Sequence, residues 1–528
     1  MRPQVAPTEH YLGSAHRTVR CIEPPRVCDF RSPRIAELWV ACDHRWMRYS
    51  LSSSRALLVT AALGTVSAPS LATTIEVTPS DSYTKIEAAK AGDEVLIHPG
   101  TYRFRVFLTA KATASSPIVI RAKDPLNPPV WDLGAGNLED APGSYTAGDR
   151  GRGCWQLSGA SNVHISDLVI MGCHNASFNA AGIRYYATST GIRLRNVYFH
   201  DNDNGLTGGT ENSEIVVEFC EFARNGNLQA SAPTHNIYVY GGTFTLRYSY
   251  AHDPTQGQNF HIRAKESVLE YNWFSRAKSY AGDLMTNDDS PGTGASTQNM
   301  LLRGNVIVQG ATQENTSQII ALYNDGGATN LTLRTRLLHN TFVGNGDRAA
   351  LVHLSNADGT VMNVELSNNI VYGTSRPGLI EDPAHGTVNG SNNWLVTGAD
   401  ATGLSGTVFG SDPAFKNATQ NDFTLAAGST AIGAALGTID GLPTAEYYRD
   451  ETQKCGYRPR SSTKDVGAFE STTTGAGISS IDSASSGGTL GTGGGAAVPL
   501  PPVGGRSNSS TGNNGLGGGN TRGGNSAT

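Results

Sequence analysis

Charge is scarce in this chain. Only 16% of its 528 residues are Asp, Glu, Lys or Arg, and the formal net charge is −5. So small a balance over so long a chain points neither to nucleic acid nor to a strongly anionic membrane surface as a partner. Long apolar runs are missing too: the stretch at residues 56–66 is too short to span a bilayer, so no transmembrane segment is expected. No CxxC and no paired Cys/His spacing occurs, which removes the usual sequence signs of a metal site. Residues 471–528 are Gly, Ser, Asn and Thr with almost no aromatics, so they form no core and read as a disordered tail.

What the chain does hold is glycine, 62 residues of it, with abundant Asn, Ser and Thr. That composition suits many tight turns between short strands better than helical packing. Met47 opens a segment with Arg48 and Arg55, the apolar run, and Ser70-Leu71-Ala72 as a small-x-small cleavage site, so residues 47–72 read as a secretory signal. The mature, secreted chain is expected to start near Thr73. Residues 1–46 show no period and read as an upstream extension from a start codon called too early. Export permits disulfides. Cys154 and Cys173 fall near one coil and can bridge adjacent coils; Cys220 reads as a buried thiol and Cys455 as a residue of a terminal loop.

A short pattern recurs along the chain: an aliphatic residue, two variable residues, a small or amide residue, one variable residue, then an apolar one. It gives ISDLVI from Ile165, LRNVYF from Leu194, VEFCEF from Val217, LRYSYA from Leu246, LEYNWF from Leu269, LRGNVI from Leu302, LLHNTF from Leu337, LSNNIV from Leu366 and, loosely, GSNNWL from Gly390. Its fourth position runs Leu168, Val197, Cys220, Ser249, Asn272, Asn305, Asn340, Asn369 and Asn393, in steps of 23 to 35 residues. A period in that range, in units too small to bury their own apolar face, means a solenoid. Strand-type residues without a helical period make it a parallel β-helix, of about 10 to 12 coils over residues 73–470. Coils stack about 4.8 Å apart, so the five asparagines read as an amide ladder that fixes register.

Residues 82–91 are expected to form a short helix that plugs the open end, with Thr84 and Glu87 as a capping box. The order of this helix, AGDEVLIHPGTYR and SSPIVIRA resembles the start of secreted right-handed β-helix proteins of the pectin-lyase-like superfamily. FTLAAGSTAIGAAL and the closing DVGAFE resemble the C-terminal end of the same superfamily. The 33- and 35-residue steps place loops at 287–298 and 325–328 on one side, as walls of a groove.

Each coil carries another strand just before the repeated motif. With Ile183, Ile237, Ile262 and Leu284 taken as inward equivalents, its outward set includes Arg184, Tyr238, Tyr240, His261, Arg263, Asp283 and Met285, with His235 at one end. Lys265 stands at a corner, and Arg276 and Lys278 follow the next strand. Tyrosine faces stack on sugar rings and arginine pairs with carboxylates, so the mixture suits an anionic, uronate-containing polysaccharide. His261-Ile-Arg-Ala-Lys-Glu-Ser followed by Glu270-Tyr-Asn-Trp-Phe is similar to the motif of the chondroitinase B and alginate lyase group. That resemblance implies β-elimination, with a lysine nine residues before the coil asparagine as base. Here the position is Arg263, and Lys265 comes two residues later. The base is therefore Arg263, as in the pectate lyases, or Lys265, or His261; the group's second arginine has no match where Met285 and Thr286 stand. Tyr238 is the expected proton donor to the leaving oxygen, His235 a further catalytic candidate, and Tyr240, Arg184, Arg276 and Lys278 bind substrate. Asp283, Asp288 and Asp289 are candidate calcium ligands. A β-helix glycoside hydrolase, a uronate epimerase and a non-catalytic glycan-binding solenoid are the alternatives, and a monomer is expected.

Overall fold

The computed structural model describes residues 72–134, 136–144, 152–286, 296–310, 318–324, 331–345, 350–355, 360–374, 379–450, 452–472 and 476–480. The signal-like segment to residue 71, Asp288, Asp289, most of the 287–298 loop, the 325–328 loop and residues 481–528 lie outside them. Three parallel sheets of 13, 12 and 10 strands run the length of a right-handed β-helix. In each, a strand pairs with its counterpart one coil further on. One continuous core, from Val77 to Leu395, fills the interior. Among the described residues no helix is long and apolar enough to cross a membrane.

The expected asparagine column is a ladder. Asn272, Asn305, Asn340 and Asn369 each donate Nδ2–H to the Oδ1 of the next coil's asparagine at 3.0 to 3.1 Å, and Asn393 closes the series. The same Oδ1 also accepts the preceding coil's backbone N–H, for example Asn305 N–H to Asn340 at 3.0 Å. The earlier members do part of this job with other atoms: Cys220 N–H donates to Ser249 Oγ, and Ser249 N–H to Asn272 Oδ1. Just before the column, Asp167, Asn196, Phe219, Tyr248, Tyr271, His339, Asn368 and Asn392 have φ between 49° and 61°. Left-handed backbone at bulky residues is unfavourable by itself, so the corner is held by the ladder and by ring stacking outside it. Tyr248 stacks on Tyr271 and on Tyr457 of the C-terminal hairpin.

Some end features differ from expectation. The helix spans only Thr84–Glu87, and its N-cap, Tyr83, makes no side-chain cap bond. Glu87 accepts instead from Phe107 N–H and Ser144 Oγ–H, tying the plug to the next coil. Cys455 lies in the strand Cys455–Pro459 rather than a loop, and Ile478–Ser479 adds a third strand beyond the expected boundary at Glu470. Cys154 and Cys173 are disulfide-bonded; Cys220 and Cys455 are buried thiols.

Candidate active site

The 10-stranded sheet carries the site, and its register decides which side chains meet. Leu206 pairs with Ile183 and Ile237, while Ile262 pairs with Val239 and Leu284. The expected equivalence of Ile237 and Ile262 is thus out by two residues. A two-residue shift keeps each side chain on its face but changes its neighbour. Tyr238 consequently stands beside His261, His261 beside Asp283, and Tyr240 beside Arg263. Gly282 permits the close packing here: a Cβ on it would lie 2.1 Å from the Phe260 ring.

The strands Phe260–Arg263 and Gly282–Met285 are buried on both faces, whereas Ile237–Tyr240 alternates. Beside them opens a cavity of 440 Å³. Arg152, Arg184 and Arg263 line it, together with Tyr238 and Tyr240. Its remaining lining is neutral, including Asn179, Asn204, Thr207 and Thr234, with no acidic residue among those described. Burial and the nearby Arg184 lower the pKa of Arg152, a sign that positive charge is crowded at that end.

Behind the cavity wall a polar chain fixes Arg263. Its Nε–H donates to His261 Nε2 at 3.0 Å. His261 Nδ1 lies 2.9 Å from Asp283 Oδ1, off the axis of a hydrogen bond, and Tyr280 Oη–H donates to Asp283 Oδ2 at 3.1 Å. Burial alone would raise Asp283, but the imidazoles of His261 and His235 and the Tyr280 bond bring it below the usual carboxylate range. With Nε2 facing the Arg263 N–H, Nδ1 is the His261 nitrogen that faces Asp283. His235 stacks on His261, with ring centres 4.8 Å apart, and its Nδ1 accepts the Gln258 N–H at 3.2 Å. Burial, with the neighbouring His261, pushes His235 down to about 3, so it is neutral at ordinary pH. Each histidine thus has its acceptor nitrogen engaged by a donor of the protein. Tyr238 packs edge-on to His261 at 4.5 Å and lines the cavity.

The structure brings together Arg184, His235, Tyr238, Tyr240, His261, Arg263 and Asp283. It does not bring the others there. Lys265 is exposed at the turn before Glu266–Glu270 and does not line the cavity. Lys278 is also exposed, and Arg276 points to the 12-stranded sheet, where it pairs with Asp253. Asp283 faces His261 and Tyr280, and among the described residues no group of three His, Cys, Asp or Glu could hold a metal ion. Asp288 and Asp289, the other two candidate calcium ligands, lie outside the described residues. Sequence reasoning missed Thr207, which sits in register between Arg184 and Tyr238; adding Leu206 to the inward column would have found it. It missed Arg152 because the repeated motif does not reach that strand's start.

No family model and no curated protein matches this chain. Among solved structures it is similar to pectate lyase Pel9A, at 15% identity over 76% of this chain and 96% of that one, with a TM-score of 0.49. It is also similar to an alginate lyase from Paenibacillus sp. str. FPU-7 (14% identity, 55% and 93%, TM-score 0.38). A GH136 lacto-N-biosidase from Eubacterium ramulus is a third (13% identity, 64% and 68%, TM-score 0.35).

Proposed function

We propose that this chain is a secreted lyase that cleaves a uronate-containing polysaccharide by β-elimination. The observation that carries the reading is that Arg152, Arg184, Arg263 and Tyr238 line one cavity whose described lining holds no carboxylate. A glycoside hydrolase needs a pair of carboxylates flanking the bond it cleaves, and none stands among the described residues of this lining. The disulfide between Cys154 and Cys173 fits an oxidising, extracellular setting.

In this mechanism Arg263 faces the sugar carboxylate and offsets the charge that develops when the C5 proton leaves. His261 and Asp283 hold the guanidinium in place through its Nε. With both histidine acceptor nitrogens engaged, Tyr238 is the proton-transfer group: its phenolate takes the proton from C5, and the phenol returns it to O4 as the C4–O4 bond breaks. The electron pair from the C5–H bond becomes the C4–C5 double bond, so no oxidant or co-reactant is consumed. The arginines supply the positive field that a phenolate and a substrate carboxylate both need. Lys265, far out at its turn, has no part in this.

The test is to mix the protein with pectate, alginate, chondroitin, hyaluronan and heparin-type polymers and follow the ultraviolet absorbance of the conjugated product. A rise on one polymer supports elimination and names the substrate. New reducing ends without absorbance would replace it with hydrolysis, and inverted uronates at unchanged chain length with epimerisation.

A further inference from the structure

A second cavity, of 530 Å³, lies between the outer face of the 12-stranded sheet and the C-terminal hairpin. Four separate parts of the chain build it: the strand ends at Tyr250, Trp273 and Arg276, the segment 420–424 that runs into the strand Asp422–Leu425, the hairpin strands Ala445–Arg449 and Cys455–Pro459, and Phe469. Trp273 is half-buried and packs on Phe423, with centroids 5.6 Å apart, and on Tyr447 at 5.7 Å. It is therefore a fixed part of the wall.

Each arginine of this cavity meets a carboxylate, and the further lining carboxylate, Asp422, accepts from the N–H and Oγ–H of Thr424. Arg276 makes two bonds to Asp253, of 2.7 and 2.6 Å; Arg449 reaches Glu221 at 3.2 Å; and Arg458 stands 3.9 Å from Glu446. A guanidinium has five N–H donors, and these contacts leave some on each arginine over. Arg449 is braced over the Tyr250 ring at 4.6 Å and Arg458 over Tyr448 at 4.5 Å, so their donors are held in position. Exposed amides of Gln420, Asn421 and Gln453 complete the polar part of the lining. Aromatic walls with stiff planar donors, and with each lining arginine matched by a carboxylate, select a ligand with hydroxyl groups, apolar C–H faces and no charge.

We propose that this cavity binds a neutral saccharide, separately from the arginine-lined cavity. It is independent of the lyase reading, because a neutral ligand has nothing for Arg263 to neutralise. The test is isothermal titration of the full chain with cellotetraose, xylotetraose, mannotetraose and galactotetraose, and with an oligouronate as contrast. Saturable binding of at least one neutral probe is expected. Trp273→Leu weakens it at least tenfold and Arg458→Gln severalfold, while Arg263→Ala leaves it unchanged. Should Trp273→Leu fail to fold by circular dichroism, Arg458→Gln, at a partly exposed position, decides alone. The proposal is overturned if no neutral probe binds, if folded variants at both positions bind as the parent does, or if the oligouronate alone occupies the site.

Discussion

The 12-stranded and 10-stranded sheets both present arginine on their outer faces, but they hold it differently. On the first, Arg224 grips Asp201 and Arg276 grips Asp253 through paired bonds of 2.6 to 3.0 Å, each between left-handed corner residues one coil apart. These arginines brace neighbouring corners. On the second, Arg263 is held at Nε by an imidazole and lines a cavity with two further arginines. A residue type that reads the same in the sequence is thus paired with an aspartate one coil back on one sheet, and held at Nε by an imidazole beside a cavity on the other.

The sharpest way to break this contrast is to change one arginine on each sheet. Arg263→Ala is expected to lower elimination about 10²- to 10³-fold, the usual cost of removing a positioned charge stabiliser. Arg276→Gln should leave the rate unchanged and cost at most about 1 kcal/mol of stability, because its ion pair is half-exposed. Equal losses of activity in the two variants would erase the distinction.

The interior offers a second, smaller effect. Asn340→Ala strips a buried backbone N–H of its acceptor and leaves the Leu302 carbonyl and Asn369 Oδ1 without their Nδ2–H partner. Urea denaturation should show a loss of about 3 kcal/mol. Asn421→Ala, at an exposed turn whose left-handed backbone (φ 61°) Asn tolerates better than Ala, should show only about 1 kcal/mol.

Acid provides a gentler probe. Burial pushes His235 and His339 down to about 3 in the fold, whereas the unfolded chain takes up these protons near the ordinary histidine value. Between pH 6.5 and 3 the unfolded state therefore binds more protons. Stability should fall as pH drops through that window, by up to about 1.4 kcal/mol per pH unit for each histidine. His339→Gln should flatten the slope in equilibrium unfolding followed from pH 7 to 4.

Much of the fold was legible because the motif samples one corner of every coil. Its asparagines face inward and must satisfy each other, so their chemistry shows in the spacing alone. The site was only half legible. Alternation assigns Tyr238, His261 and Arg263 to the outer face, but a two-residue slip between Ile237 and Ile262 preserves alternation, and so the neighbour relations stayed hidden. The bond from Arg263 to His261 spans two residues of one strand and depends on rotamers rather than sequence pattern. Lys265 looked equal to Arg263 in the motif because spacing does not say on which side of a turn a side chain projects.

The central claim is that Tyr238, and neither histidine, moves the proton. It is tested most directly by comparing Tyr238→Phe with His261→Gln on the polymer that the parent protein degrades, following product absorbance. The account predicts a fall of about 10²- to 10⁴-fold for Tyr238→Phe, and a loss within about tenfold for His261→Gln, which keeps an acceptor near Arg263. Near-parental activity in Tyr238→Phe with an inactive but folded His261→Gln would contradict it and make the imidazole the base.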